Sequence, residues 1–511
     1  MSSILTNNSA MVALQTLKGI NKNMSQIQNE ISTGQSVSSA KDNAAVWAIS
    51  KVMESDVKGF SGISDSLSLG SSTISVARQA AETTTDLLTE IKGKIVAAQE
   101  GNVDREKIQA DITALSAQIK SVTGAAQFNG LNMVSGTDDV TILSSLDRSG
   151  DGSVAASQIS VNRMDLTTSA GKVGTTAAAT INYGSIAAPA ASPTPAITGT
   201  TTAAAGKSAV ITVAAATATG NNYSLNVNGT SINYTTDGIV TNTAMADNFA
   251  GQINALGLEG ITASAATGTL TIFNANAFEG MDVTTGGTQL TNTNRNGFAY
   301  NATTNSKVEQ RAETIDFSAT AVPVNGNSFT VGIAGKTYSY TSGKGETMED
   351  VARGLKTAID SEAVTGLTTK VQQNSTTGAW SLAVDDATGG RALSLTVTSG
   401  GEASGGLFGL DAIDVTTEDG AKAALSNIET MISTSIDAAA SFGSAQNRID
   451  IQSDFISNLS DSLKSGIGSM VDADMEETSA RLQALQVQQQ LGVQALSIAN
   501  QSPQSILSLF R

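Results

Sequence analysis

The chain contains no cysteine and no histidine. Without cysteine there are no disulfides, thiol nucleophiles or Cys-based metal sites. Without histidine it lacks the usual general base near neutral pH and the commonest transition-metal ligand. Proline is scarce, with 5 in 511 residues, and aromatic residues make up only 4%. Large aromatic-filled cores are therefore not expected; small-residue helix packing and thin β-domains are. Positive charge is also in short supply, with 29 Lys plus Arg against 46 Asp plus Glu and a net charge of −17. This disfavours nucleic acid and anionic membranes as main partners. No run approaches the ~18 apolar residues of a membrane span. Met1 to Ala10 has no basic n-region followed by an apolar h-region, so no cleavable secretory signal is expected.

What the sequence does have is heptad spacing. From Val46 to Ile95, steps of three and four residues meet Val46, Ile49, Met53, Asp56, Phe60, Ile63, Leu67, Gly70, Ile74, Ala77, Ala81, Thr84, Leu88, Ile91 and Ile95. Only Asp56, Gly70 and Thr84 break the apolar rule, and no proline interrupts the run. Such a seam predicts a helix packed in a coiled coil, about 75 Å long. A single rod cannot bury its own stripe, so it needs partners.

Both ends of the chain supply them. Ala10, Ala13, Leu17, Ile20, Met24, Ile27 and Ile31 form a first stripe that ends near Gly34, a helix-stop residue. Ser38 to Asn43 offers capping side chains before the rod. After a break at Gly101-Asn102, Ile108, Ile112, Leu115, Ile119 and Val122 read as an antiparallel return, followed by a turn at Phe128-Asn129-Gly130. The 3,4 alternation reappears as Leu425, Ile428, Ile432, Ser435, Ala439, Phe442, Gln446, Ile449, Ser453, Ile456, Ser460, Leu463, Ile467 and Met470. A last helix, with acids from Asp472 to Glu477 suiting its N-terminus, carries Leu482, Leu485, Val493 and Leu496 on one stripe. A second stripe holds Val487, Leu491 and Ile498. Two stripes on one helix imply burial on two sides.

Between these helices the period changes. Val140–Leu143 and Ile159–Val161 read as short strands, and Pro189, Pro193 and Pro195 mark a linker. Residues 208–400 hold a duplication: Tyr223, Gly229 and Tyr234 recur as Phe329, Gly335 and Tyr340, and Met245, Phe249 and Ile253 as Val351, Leu355 and Ile359. Gly268 to Ile272 then recurs as Gly378 to Leu382. Each copy reads as hairpin, helix, hairpin. The fold class expected is multidomain: an α-helical coiled-coil bundle from both termini, with β-rich α+β modules between. Since the terminal helices are apolar on more surface than they can hide in one another, they should order when many copies pack.

Motifs at both ends resemble those of bacterial flagellins. They are Ile31-Ser32-Thr33-Gly34, Ser38-Ser39-Ala40-Lys41-Asp42-Asn43-Ala44-Ala45 and Ala126-Gln127-Phe128-Asn129-Gly130 near the start. Near the end are Asn447-Arg448-Ile449-Asp450, Val471-Asp472-Ala473-Asp474-Met475 and Ala499-Asn500-Gln501-Ser502-Pro503-Gln504-Ser505-Ile506-Leu507-Ser508-Leu509. The resemblance covers roughly the first 165 and last 95 residues. It implies a self-polymerising filament subunit used for motility. Residues 1–45 and 472–511 would line an inner tube and 46–180 with 415–471 an outer tube, with modules 181–300 and 301–414 projecting outward. It also implies type III export, a chaperone on the C-terminal helix, and hook-associated and cap proteins as neighbours. The packing residues would be Leu17, Ile20, Met24, Ile27, Ile31, Phe60, Ile63, Leu67, Phe442, Ile449, Ile456, Leu463, Leu482, Leu485, Leu491 and Leu496.

The sequence departs from the family pattern at Gln35-Ser36-Val37, where a run like Leu-Arg-Ile is common. It departs again at Glu90, Lys94 and Asp111, where many members present other side chains to the Toll-like receptor for flagellin. Weak receptor activation is the expectation.

Other readings compete. A hook–filament junction protein shares the terminal helices, although Pro503 to Leu507 and Phe128-Asn129-Gly130 favour flagellin. An adhesin or glycan-binding role for the middle is compatible with a filament subunit. Ser and Thr in the middle offer hydroxyls for O-glycans. Asp147 to Ser153 resembles the start of a calcium loop, but Gln158 replaces the bidentate Glu, so a hairpin turn is the better reading. Asp472, Asp474, Glu476 and Glu477 fit helix-start acids better than a metal cluster. His-Glu-x-x-His protease chemistry is impossible here. No catalytic, cofactor or metal residue is assigned.

Overall fold

The computed structural model describes residues 7–507 except 150–152, 178–182, 187–195, 200–205, 214, 216–218, 221, 287–289, 295–297, 301–305, 309, 334, 376 and 388–392. Seven α-helices are present among the described residues: α1 (Asn8–Thr33), α2 (Ala44–Ala98), α3 (Arg105–Ala125), α4 (Asn242–Ala255), α5 (Met348–Asp360), α6 (Glu418–Val471) and α7 (Met475–Leu507). The chain divides into two compact units. Unit 1 is Met1–Ser72, Thr141–Val161 and Ser444–Arg511, and unit 2 is Thr73–Val140 and Asn162–Gly443.

Local chemistry sets the helix ends in unit 1. Asn7 accepts from Ala10 N at 3.0 Å to open α1. Gly34 closes it at φ 71°, a left-handed conformation in which glycine has no Cβ to strain. Asp474 Oδ1 accepts from the Glu476 and Glu477 amides and opens α7. The two helices run antiparallel: Asn7 Nδ2 donates to Ala499 O at 2.9 Å, and Gln489 Nε2 to Asn21 Oδ1 at 2.8 Å. Their connections are tied together by Ser36 N to Val471 O and Ala473 N to Gly34 O. Between α1 and α2, Asp42 gathers the Ser39 amide and the Ser38 and Ser39 hydroxyls, which lower its pKa.

The hairpin Val140–Arg148 with Val154–Val161 accounts for two breaks in the α2 seam. Ile142 seats on Gly70, where a Cβ would lie 2.6 Å from its Cδ1. Arg148 pairs with Asp56 at 2.5 Å. The same hairpin reaches α6 through Gln452 Nε2 donating to Ser144 O. Phe60, Ile63 and Leu67 of α2 and Ile449 and Ile456 of α6 are buried in this unit. The tip at 150–152, the middle of the calcium-like stretch, lies outside the described residues.

In unit 2 the third seam break, Thr84, is fully buried. Beside it, Thr85 Oγ1 meets Ser435 Oγ at 3.0 Å, and Ser435 Oγ donates to Ala81 O. Small residues thus bring α2 and α6 close. Helix α3, opened by Asp104 accepting from Lys107 N, buries Ile112 and Ile119. Asn129 (φ 51°) and Gly130 (φ 81°) make the tight turn between Gln127–Phe128 and Leu131–Asn132.

The repeated motif of the middle is a repeated topology. In the first copy, Asn222–Val227 pairs with Thr230–Thr235 and with Met281–Gly286, while Thr269–Asn274 lies between Ile261–Ala266 and Lys207–Val213. In the second, Ser328–Ile333 pairs with Lys336–Thr341 and Leu393–Ser399, while Trp380–Asp386 lies between Leu367–Gln373 and Glu313–Phe317. Helices α4 and α5 occupy equivalent places, each opened by a threonine cap. The equivalent side chains Tyr223 and Phe329, Phe249 and Leu355, and Ile272 and Leu382 sit in equivalent cores.

The strands before the first copy belong with the second. Gly184–Ile186 pairs with Glu313–Phe317, and Ala196–Gly199 and Thr176–Ala177 pair with Leu393–Ser399. Ser306–Val308 pairs with Met281–Gly286, and Val308 lies in the first core. The expected partition at 181 and 300/301 thus differs from the strand pairing, because short Ala/Ser/Thr strands carry no period that marks their partner. Pro189, Pro193 and Pro195 lie outside the described residues.

Candidate assembly surface

Unit 1 leaves much of its apolar surface open. The heptad positions of α1, from Ala10 through Leu17, Ile20 and Met24 to Ile31, turn inward and are half-buried or, at Ile27, buried. Leu482, Leu485 and Leu496 of α7 do the same, joined by Gln489 and by Gly492, which faces Leu17 and Ile20. The opposite face of α7 presents Val487, Leu491 and Ile498, the last 69% exposed, and Val493 is exposed on the flank of the inward stripe. Val493 was expected with the inward stripe. Its place is taken by Gly492, whose missing side chain admits the large residues of α1.

More apolar side chains face outward on the other helices of this unit. They are Met11, Val12 (63% exposed) and Leu14 of α1, Ile49, Val52 and Leu69 of α2, and Ile451 and Phe455 of α6. An open groove lies at the end of the α1–α7 pair, lined by Val12, Ala13, Ala495 and Ile498 among others. Spacing alone missed Met11, Val12, Leu14, Ile451 and Phe455, because they fall off the main stripes. Their signal is an apolar residue where a one-sided amphipathic helix would carry charge.

Charge is absent where this surface is most exposed. No Asp, Glu, Lys or Arg occurs from Leu482 through Phe510, nor from Met1 through Leu17. The polar residues there are Gln, Asn, Ser and Thr, which hydrogen-bond without the large desolvation cost of an ion. Such a face can be buried against a like copy.

The remaining predicted packing residues take part inside the chain. Phe60, Ile63, Leu67, Phe442, Ile449 and Ile456 are buried, and Leu463 is half-buried. Leu491 differs from them in being 57% exposed. In unit 2, Lys94 pairs with Asp111 at 2.6 Å and Glu90 is exposed. The acids Asp472, Asp474, Glu476 and Glu477 surround the opening of α7. Among the described residues no group of three or more His, Cys, Asp or Glu could hold a metal ion. None of the described helices is long and apolar enough to cross a membrane.

Helices from both termini with an open, uncharged apolar face define a self-assembling fibrous subunit. The profile of the bacterial flagellin N-terminal helical region matches residues 4–139, and that of the C-terminal helical region matches residues 425–510. Flagellin A of Rhizobium meliloti is 32% identical over 517 residues and flagellin B of the same organism 30% identical over 519, each covering 100% of both chains. A flagellin of Brucella melitensis is 40% identical over 167 residues, covering 32% of this chain and 59% of that protein. The chain belongs to the bacterial flagellin family and is a structural subunit of the flagellar filament. Among solved structures, Xanthomonas campestris FlgL covers 81% of this chain and 98% of its own at 10% identity with a TM-score of 0.26, too low to bear on function.

Proposed function

We propose that the outward apolar residues of unit 1 are the contacts between subunits, with Val487, Leu491, Val493 and Ile498 of α7 and Met11, Val12 and Leu14 of α1 at their centre. The observation that carries this reading is the exposed apolar stripe of α7 set in a segment without charge. Exposed contiguous apolar surface in a soluble chain marks an interaction face. Residues 1–45 and 472–511 then line the inner tube, 46–180 and 415–471 the outer tube, and 181–414 projects outward. Leu17, Ile20, Met24, Ile31, Leu482, Leu485 and Leu496 hold α1 to α7, and the buried rod residues give each subunit its stiffness.

The partners are further copies of this chain or related flagellins, with hook-associated and cap proteins at the filament ends. Export runs through the flagellar type III apparatus, led by the N-terminus, with a chaperone covering α7 until assembly. This places the protein in the extracellular flagellum, acting neither as an enzyme nor through nucleic acid or membrane insertion. The hook–filament junction reading gains no specific observation. At the Toll-like receptor for flagellin, Glu90 and the Lys94–Asp111 pair make this a weak activator. A cell reporter responding as strongly as to an enteric flagellin would contradict that part.

The test is seeded polymerisation of the purified full chain beside a variant lacking 1–30 and 475–511, viewed by negative-stain electron microscopy. Long filaments from the full chain alone are expected. Filaments from both would refute terminal assembly, and end-capping of added filaments by a monomeric full chain would point to a junction protein.

A further inference from the structure

Sulfur is unevenly shared between the two units. The buried methionines Met133, Met245, Met281, Met348 and Met431 all belong to unit 2. Among the described methionines only Met11 and Met475 are exposed, at 59% and 42%. Both stand on the terminal helices of unit 1. With no cysteine in the chain, the thioether is the side chain that peroxide oxidises first, to a sulfoxide that dedicated reductases return to methionine.

The two exposed sulfurs have opposite surroundings. Met475 opens α7 with Asp474, Glu476 and Glu477 beside it in the chain, so one more polar oxygen there changes little. Met11 lies near the start of α1, in a stretch without charge from Met1 through Leu17. Val12 and Leu14 next to it are exposed as well. Met11 and Leu14, three residues apart, share one face of the helix. A thioether is unbranched and apolar and adapts to the shape it meets. Its sulfoxide is polar, and an oxygen pressed among apolar side chains costs the desolvation of a polar group.

We propose that Met11 is an oxidation site that gates assembly: a folded monomer carrying Met11 sulfoxide does not join a filament, and reduction restores it. The inference rests on the reading of Met11 as a subunit contact. In the reaction the Met11 sulfur attacks one oxygen of hydrogen peroxide. The S–O bond forms as the O–O bond breaks, and the departing hydroxide takes the proton from the transferred oxygen and leaves as water. Sulfur loses two electrons and the peroxide gains them. In a filament the neighbouring copy covers Met11, so growth is sensitive to peroxide while filaments already formed are not.

The experiment treats folded full-length monomer with hydrogen peroxide, removes the oxidant and adds preformed seeds. Peptide mass spectrometry reads the gain of one oxygen at each methionine, and light scattering reads elongation. Met11 and Met475 are expected to oxidise ahead of the buried methionines. Elongation should fall about tenfold as Met11 sulfoxide accumulates, with circular dichroism unchanged, and should recover after methionine sulfoxide reductases A and B. Each variant is compared with itself before and after treatment. Met475→Leu should lose growth as the wild type does, and Met11→Leu should keep most of its own untreated rate. If Met11→Leu grows poorly untreated, the mass tracking and the reductase rescue of the wild type decide. Peroxide applied to finished filaments should leave Met11 largely unoxidised. Undiminished elongation by monomer whose Met11 is oxidised, loss of growth that follows Met475 instead, or no rescue by the reductases would overturn the proposal. If Val487→Asp with Leu491→Asp stops growth in that case, the assembly reading stands and the gate alone falls.

Discussion

Unit 1 and the β-modules of unit 2 use the same small set of apolar residues in opposite ways. Each module closes its core: Tyr223, Phe249 and Leu270 in one, Phe329, Leu355 and Leu382 in the other, all essentially without exposure. The α1–α7 pair buries one stripe and leaves the next open. A helix can carry two stripes at once, whereas a strand on a one-sided sheet has a single inward face. The terminal helices therefore retain apolar surface for neighbours after the chain has folded, and the modules have spent theirs.

Four variants follow from this contrast, in falling order of effect. The double change Val487→Asp and Leu491→Asp buries charge at every subunit contact and should abolish filament growth. The circular dichroism and melting temperature of the monomer should stay unchanged, because both side chains are solvent-exposed. Growth at the normal rate would show that the open stripe is not the interface.

Lys356→Met lies at the other extreme, inside unit 2. Lys356 pairs with Asp360 at 2.6 Å and donates to Asn427 of α6 at 2.8 Å, with all three side chains buried. Removing the ammonium leaves the buried Asp360 carboxylate without a counter-charge, held only by the Thr369 hydroxyl and the Asn427 side-chain amide. The cost expected in denaturant unfolding is about 3–5 kcal/mol. A loss below ~1 kcal/mol would contradict this account of the joint.

Glu346 gives a pH signature confined to unit 2. Its pKa in the folded chain is raised, from 4.5 to about 7. The folded state therefore binds the proton more tightly than the unfolded chain, and this contribution to stability falls as pH rises from 4.5 through 7. The full span is about 3 kcal/mol as an upper figure. Unfolding of wild type against Glu346→Gln at pH 5 and pH 8 measures it. The gap should widen in favour of the variant at pH 8, and equal gaps at both pH values would refute it. The smallest effect belongs to Lys94→Ala, which breaks only the exposed Lys94–Asp111 pair. It should leave the melting temperature unmoved, whereas a clear drop would mean the pair is structural.

The helical half of the molecule was legible from spacing. Every stripe position of α6 from Leu425 to Met470 faces inward, as do those of α1. Even the three breaks in the α2 seam have local causes: an arginine partner for Asp56, the seat of Ile142 at Gly70, and tight helix contact near Thr84. Spacing failed where heptad drift matters. Ile49 lies on the counted seam yet is 53% exposed, and Val493 is exposed beside Gly492. The middle was readable as a repeat because Gly229, Gly335, Gly268 and Gly378 hold positive-φ turns in register with the buried residues. The pairing of Ala196–Gly199 with Leu393–Ser399 was not, since strand partners far apart in the chain leave no local mark.

The most direct measurement removes the modules and keeps the helices. Lys172 and Glu402 exchange two backbone hydrogen bonds of 2.9 Å. Residues 173–401 can therefore be replaced by a short Gly-Ser turn at a place where the chain already meets itself. Seeded with preformed filaments and followed by light scattering and electron microscopy, this shortened chain should elongate them. The same chain carrying Val487→Asp and Leu491→Asp should not. A helical, folded but non-elongating shortened chain would place the assembly contacts in the β-modules and contradict the account.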